Sequence, residues 1–280
     1  MNRKEKYAEI ALTVVGLTSV AVLALIIIFI FREGAPALAK VGLWNFITGT
    51  RWAPGKNEFG ILPMIVGSFF VTFGALIIGL PLGLGAALYL SEFAPKKSAA
   101  VLKPLVEILA GIPSVVFGFL GLTVIVPLIR DRLGGPGFSV LASAVVLGIM
   151  ILPTMVSVSY DALRAVPAAY REGMLAVGAN PWQAVTTVVL PAAKSGILAA
   201  SILAMGRAVG ETMAVIMVAG NATIIPVSFL DPVRTMTSNI ALEMGYAAGM
   251  HRQALFATGI VLFVVIGVLN TVARAFIRSK

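Results

Sequence analysis

The apolar residues of this chain run in blocks that are long compared with the strands and surface helices of a soluble domain. Six blocks reach spanning length, Ile10–Phe31, Ile61–Leu90, Leu105–Ile129, Phe138–Tyr160, Ser195–Val218 and Ala254–Ile277. Crossing a hydrocarbon core of ~30 Å takes about 20 helical residues, so the pattern predicts an all-α integral membrane fold of six transmembrane helices. An even number of spans puts both termini on one side. The N-terminus (Arg3, Lys4, Lys6), the second loop (Lys96, Lys97, Lys103), the fourth loop (Arg164, Arg171, Lys194) and the C-terminus (Arg274, Arg278, Lys280) hold more Lys and Arg than the opposite side. The positive-inside rule then predicts both ends in the cytoplasm. Trp44 and Trp52 fall in the first outer loop, where an aromatic side chain anchors at the membrane interface. The first block follows a basic start and precedes Ala37-Leu38-Ala39, which imitates a cleavable signal. Its apolar run is longer than the roughly 7–15 residues of a signal core, and it reads as a retained helix.

The blocks are not uniform. The second contains Gly74, Gly79, Pro81, Gly83 and Gly85, and the third contains Gly111, Pro113, Gly118 and Gly121. Small residues at four-residue spacing let helices approach closely, and each proline removes a backbone donor. The stretch GIPSVV (Gly111 to Val116) is a candidate break lining a cavity, because irregular backbone at membrane depth survives only where protein or water satisfies it.

Two polar segments exceed simple turns. The outer one, Ala219–Gln253, reads as a turn at Asp231-Pro232 and a short helix over Thr237–Met244. The inner one, Asp161–Lys194, predicts a helix beginning near Pro167 and containing Glu172, a stop at Gly178, and a second short helix capped by Asn180-Pro181 and ending before Pro191. This is a compact knob between two spans, suited to a partner that pushes on it.

Composition agrees with a membrane protein: 59% of residues are apolar, 12% are charged and the mean hydropathy is +1.00. The net charge of +9 is scattered between apolar runs, so no nucleic-acid stripe forms. Without cysteine and with the single His251, thiolate and histidine metal sites are not expected. No G-x-x-x-x-G-K-[ST] phosphate loop and no H-E-x-x-H occurs, and PLGLGAA (Pro81 to Ala87) lacks the third glycine of a dinucleotide fingerprint. Catalysis, and a metal or cofactor held by this chain, are not expected.

The fifth block raises the sharpest question, for LAMGRAVGETMAV (Leu203 to Val215) carries Arg207 and Glu211 in an apolar run. Its Leu, Ile and Val residues contribute roughly −4 kcal/mol on an insertion scale, while Arg near a helix centre costs about 2.5–3.5 kcal/mol and Glu adds to that. Arg207 is therefore expected to face protein or a water-filled path. The two charges, at i and i+4, share a face of this span and could pair. Arg before Glu is the less favourable order for such a pair. Gly206, Gly210 and Ala214 recur every four residues beside them. One reading is an ion pair that locks packing. The other is a guanidinium offered to an oxyanion, whose geometry its fork of donors matches, with Glu211 holding Arg207 while the path is empty.

The inner loop resembles the EAA loop of ABC importer permeases, E-A-A-x3-G-x9-I-x-L-P. Glu172, Gly173 and Met174 are followed after three residues by Gly178, then by Val188, Val189, Leu190 and Pro191; Gly173, Met174 and Val188 replace the two alanines and the isoleucine. NEFGILPMIVGSFFVT (Asn57 to Thr72), LYLSEFAP (Leu88 to Pro95), VEILAGIPSVVFGFLGL (Val106 to Leu122), GRAVGETMAV (Gly206 to Val215) and IALEMG (Ile240 to Gly245) are similar to the PstC family of phosphate-transport permeases. The resemblance implies a type I ABC importer (MetI-like) permease fold, with residues 1–60 an added helix and outer loop and 61–280 the permease core containing a coupling loop at 161–194. It implies a PstA-like second permease, a PstB-like ATPase dimer binding ATP and Mg, and a PstS-like phosphate-binding protein, in the cytoplasmic (inner) membrane. It places ATPase coupling at Glu172, Gly173, Gly178, Leu190 and Pro191. It places the substrate path or gate at Arg207, Gly210, Glu211, Thr212 and Ser114. From the residues alone, sulfate or molybdate suits Arg207 as well as phosphate does. An ion-coupled secondary transporter and a membrane-embedded enzyme, the latter with only Arg207, Glu211 and Glu107 to work with, are the remaining alternatives.

Overall fold

The computed structural model describes residues 3–278. Of the basic residues used for orientation, Lys280 and the side chains of Arg3, Lys4, Lys6, Arg274 and Arg278 lie outside the described residues. Helix α1 (Arg3–Val41) leads into an outer segment made of α2 (Leu43–Thr48) and a small antiparallel hairpin, β1 (Trp52–Ala53) and β2 (Glu58–Phe59). Then come α3 (Leu62–Leu88), α4 (Lys96–Ala110), α5 (Ser114–Leu120), α6 (Val126–Leu133), α7 (Val140–Arg164), α8 (Ala168–Ala176), α9 (Pro181–Ala184), α10 (Leu190–Gly210), α11 (Met213–Val218), α12 (Met236–Glu243) and α13 (Gly249–Arg278). Wide π-helical turns join α3 to the next loop (Tyr89–Phe93), α5 to α6 (Gly121–Ile125) and α9 to α10 (Val185–Val189).

Among the described residues six helical segments are long and apolar enough to span, Glu9–Val41, Leu62–Phe93, Ser114–Leu133, Val140–Arg164, Pro181–Gly210 and Gly249–Ala273. Three differ from the expected blocks, the first by running past Phe31 to Val41. The third starts later, because the chain breaks at Gly111–Pro113 and the stretch before it forms the separate amphipathic helix α4. The fifth starts earlier and stops at Gly210. The helix expected to end before Pro191 instead runs through it, since the wide turn at Val185–Val189 makes room for a ring that would clash with the preceding helical turn.

The centre of the molecule is the pairing of α3 with α7. Glycine allows the closeness: a Cβ on Gly79 would lie 2.6 Å from Ile151 Cδ1, and one on Gly83 2.6 Å from Met155 Cγ. Val71, Ala75, Leu147 and Met150 bury around this seam and extend it to Ala214, Val215 and Val218 of α11. A second cluster, at the α8 end of the molecule, joins Ala87, Leu90, Leu163, Val166 and Val189. At the outer end, α1 reaches the rest of the molecule through α13, with Phe29 edge-on to Phe256 at 5.5 Å and Ala37 fully buried. The preceding turns of α1 expose Leu12, Val15, Leu17 and Val20, as a helix in lipid does.

Trp52 is not the interfacial anchor expected. It is buried, and its indole Nε1 donates to Glu243 Oε2 at 2.8 Å. Glu243 also accepts from Arg234 Nη1 at 2.6 Å and lies 2.7 Å from His251 Nε2. This network pins the outer hairpin to α12 and α13, satisfying a buried carboxylate on both oxygens. Trp44 remains exposed.

Candidate functional site

The fifth span ends in a break. Glu211 leaves the helix with extended backbone (φ −69°, ψ 135°), and α11 begins two residues later behind Thr212. Arg207 and Glu211 therefore do not share one helix, and no ion pair joins them among the described residues. Arg207 Nη1 instead donates to Thr154 Oγ1 on α7 at 3.2 Å. Glu211 Oε1 accepts the Ala214 backbone N–H at 3.2 Å, in the first turn of α11, and its carbonyl accepts from Thr237 Oγ1 of α12 at 2.9 Å. Thr212 Oγ1 donates to Gly210 O at 3.3 Å.

The break accounts for the order of the charges. Arg before Glu is unfavourable along one helix, but here Arg207 sits in the last turn of α10, where a helix end is negative, and Glu211 sits ahead of α11, where a helix start is positive. Each charge suits its own helix end. Arg207 is half-buried and keeps a guanidinium with no carboxylate in reach among the described residues. The stripe expected along Gly206, Gly210 and Ala214 is divided: open space faces Gly206 and Gly210, while Ala214 is buried against α5.

The second break, at Gly111–Pro113, lies beside this one. Ser114 opens α5, and one turn on, a Cβ at Gly118 would lie 2.9 Å from Ala214 Cα. Ser114 is half-buried and makes no hydrogen bond to Arg207 or Glu211 among the described residues. The structure thus brings Arg207, Gly210, Glu211 and Thr212 together at one break and sets Ser114 at a neighbouring one. Thr154 has no signal in its own sequence context and is visible only through the packing of α7 on α10.

Far from this break, at the other end of α7, α8 carries the exposed Glu172 and Gly173. Gly178, at φ +87°, closes it in a left-handed turn: its N–H donates to Leu175 O at 3.0 Å and that of Ala179 to Met174 O at 3.1 Å. Asn180 and Gln183 exchange side-chain and backbone hydrogen bonds at 2.8 Å each, capping α9 as the sequence indicates. Leu190 packs on the inner core and Pro191 is exposed. Tyr170, Leu175, Val177 and Trp182 present large apolar surfaces outward from this knob.

The sequence does not announce the residues that hold the knob to the membrane helices. Arg171 grips Glu92, on the wide turn after α3, with Nε at 2.8 Å and Nη2 at 2.7 Å on the two carboxylate oxygens. It also donates to Val166 O and Leu163 O, each at 2.8 Å, at the end of α7. The hydrogen bond to Glu92 raises the Arg171 guanidinium above its ordinary pKa, outweighing the opposing effect of partial burial.

Residues 79–280 match the family described as binding-protein-dependent transport system inner membrane component. The chain belongs to this family. Among relatives of this inner membrane component, the probable ABC transporter permease protein YqgH of Bacillus subtilis (strain 168) is 40% identical over 267 residues, covering 93% of this chain and 86% of its own length. The phosphate transport system permease protein PstC of Mesorhizobium japonicum is 35% identical over 268 residues, covering 88% and 82%. In fold, the chain is similar to a subunit of the bacterial alginate ABC transporter solved with an alginate pentasaccharide-bound periplasmic protein (TM-score 0.72, 17% identity, 98% of this chain and 96% of that one). It is similar also to a subunit of the inward-facing MetNI methionine ABC transporter (TM-score 0.58, 23% identity, 79% and 94%). This inner membrane component therefore has the type I ABC importer permease fold and is a multi-pass membrane protein.

Proposed function

We propose that this chain is a permease subunit of an ATP-driven phosphate importer, moving inorganic phosphate into the cytoplasm by alternating access. The observation that carries the reading is Arg207: a guanidinium in the last turn of a spanning helix, held by the Thr154 hydroxyl and with no carboxylate within 4 Å among the described residues, beside the break at Glu211. Such a charge is unfavourable in lipid by several kcal/mol and is retained where it meets an anion or water. Relatives named phosphate transport system permease protein PstC support phosphate as that anion. Gly210, Glu211 and Thr212 shape the break, and Ser114 borders the same path from α5.

The apolar, exposed knob of α8 and α9 fits an ATPase groove, with Glu172, Gly173 and Gly178 at the contact and Leu190 and Pro191 joining the knob to α10. Closure of a PstB-like ATPase dimer, driven by ATP and Mg, would displace α8. The Arg171–Glu92 grip would then carry the displacement into α3 and α7. A PstA-like permease completes the path, and a PstS-like protein delivers phosphate to the outer side. Both termini lie in the cytoplasm in this reading, and residues 1–60 are an addition to a core spanning 61–280.

The test is ATP-dependent uptake of labelled phosphate by proteoliposomes holding the four-component complex, with sulfate, molybdate and arsenate in competition. Phosphate uptake competed by arsenate and indifferent to sulfate and molybdate is expected. Competition by sulfate or molybdate as strong as that of unlabelled phosphate would reassign the substrate, and uptake driven by an ion gradient without ATP would overturn the class.

A further inference from the structure

Helix α4 breaks the usual rule for helix ends. Its N-terminus has no side-chain cap and no acid in its first turn, and its first two residues are Lys96 and Lys97. The first backbone N–H to find a partner is that of Ala99, on Pro95 O at 3.0 Å. Lysines therefore stand where the helix already carries partial positive charge. A local rule broken without internal compensation marks a place where something else supplies the compensation.

The surroundings have room for it. A cavity of about 380 Å³ lies between α4 and the end of α7, walled by Lys96, Lys103, Tyr160, Arg164 and Ser91. Lys103 is neutralised within the chain: it lies 3.2 Å from Asp161 Oδ1, 3.9 Å from Glu107 Oε1, and 4.5 Å over the Tyr160 ring. The nearby carboxylate of Glu92 is taken up by Arg171. Lys96 and Arg164 have no carboxylate within 4 Å among the described residues. Two cations and a helix start thus converge on one cavity without an anion.

We propose that this cavity binds a phosphate group, contributed either by an anionic phospholipid headgroup or by inorganic phosphate. The helix favours the lipid. Lys96, Ala99, Ala100 and Lys103 form the stripe of α4 that faces the cavity, while Val101, Leu105 and Ile108, on the opposite side, are exposed. A helix that turns its basic stripe to protein and its apolar stripe outward is seated in the bilayer, where an acyl chain lies alongside and the headgroup reaches the cavity mouth. The cavity is at the α8 end of the molecule, so its assignment to the inner leaflet rests on the coupling reading above.

The experiment compares the wild-type complex with a Lys96→Gln/Arg164→Gln double variant, both exposed positions outside the packed core. Native mass spectrometry counts phosphatidylglycerol retained from nanodiscs of phosphatidylcholine and phosphatidylglycerol, and labelled orthophosphate binding is measured in phosphatidylcholine nanodiscs. Phosphatidylglycerol retention is expected to fall about tenfold in the double variant, from the loss of two cations near the headgroup. Lys97→Gln, outside the cavity, is expected to stay within about twofold of wild type. Orthophosphate binding reduced by one site per chain in the double variant, with lipid retention unchanged, would uphold the site and name free phosphate as its ligand. Equal binding of both probes by wild type and double variant would overturn the proposal, and so would a Lys97→Gln loss as large as that of the double variant. A wild-type complex that retains the lipid but fails to import phosphate would sink the transport reading and leave this site standing.

Discussion

Arg207 and Glu211 stand four residues apart in sequence and belong to two different helices. Their presence in an apolar block, and the unfavourable order in which they occur, are legible in the sequence; the break that resolves the order is not. It depends on Thr237 reaching the Glu211 carbonyl from α12 and on α5 packing against α11, contacts between segments far apart in the chain. The role expected for Glu211, holding Arg207 in a pair, gives way in this structure to capping α11. Glu211→Ala removes the acceptor at the start of α11 and is expected to lower stability by about 1 kcal/mol, whereas Glu211→Gln keeps an acceptor and stays within a few tenths; thermal unfolding of the purified complex distinguishes them. Thr154→Val removes the hydroxyl that orients Arg207 at nearly constant volume. It is expected to raise the apparent KM for uptake severalfold, the effect of about one hydrogen bond, with complex yield unchanged.

Elements are legible in the sequence where their boundaries are decided locally and not where distant packing decides them. The α8–α9 hairpin has local signals, Gly178 at its turn and Asn180-Pro181 at its second start, and it forms as expected. Pro191 misleads because the wide turn before it absorbs the ring, so the fifth span runs on from Pro181. The Arg171–Glu92 grip joins residues 79 positions apart, and no short-range pattern announces it. Glu92→Gln is expected to leave ATPase docking intact and to lower phosphate moved per ATP hydrolysed, since α8 would shift without drawing α3 along. Glu92→Arg with Arg171→Glu is expected to restore part of that ratio, measured as coupled uptake and hydrolysis in the same proteoliposomes. Gly178→Ala places a side chain at φ +87°. It is expected to destabilise the loop by about 1 kcal/mol and to weaken ATPase recruitment, read by copurification.

Across the whole molecule, six spans and an all-α class were legible because a bilayer demands long apolar helices whatever the tertiary contacts. How the helices assemble was less so: α3 and α7 meet through Gly79 and Gly83, and α1 packs on α13 near its C-terminal end. The buried Glu243 network ties the outer hairpin to the core across three elements. Glu243→Ala strands Arg234 and is expected to destabilise the outer side by about 3 kcal/mol, with protease cleavage in residues 49–60 as the readout. In the transport reading, the broken fifth span presents Arg207, with no carboxylate partner among the described residues, to phosphate. The most direct measurement is ATP-driven phosphate uptake by reconstituted complexes carrying Arg207→Gln, with assembly and ATPase activity verified. Loss of one charge-assisted contact predicts a fall in uptake of about ten- to hundredfold, and uptake equal to wild type would contradict the account.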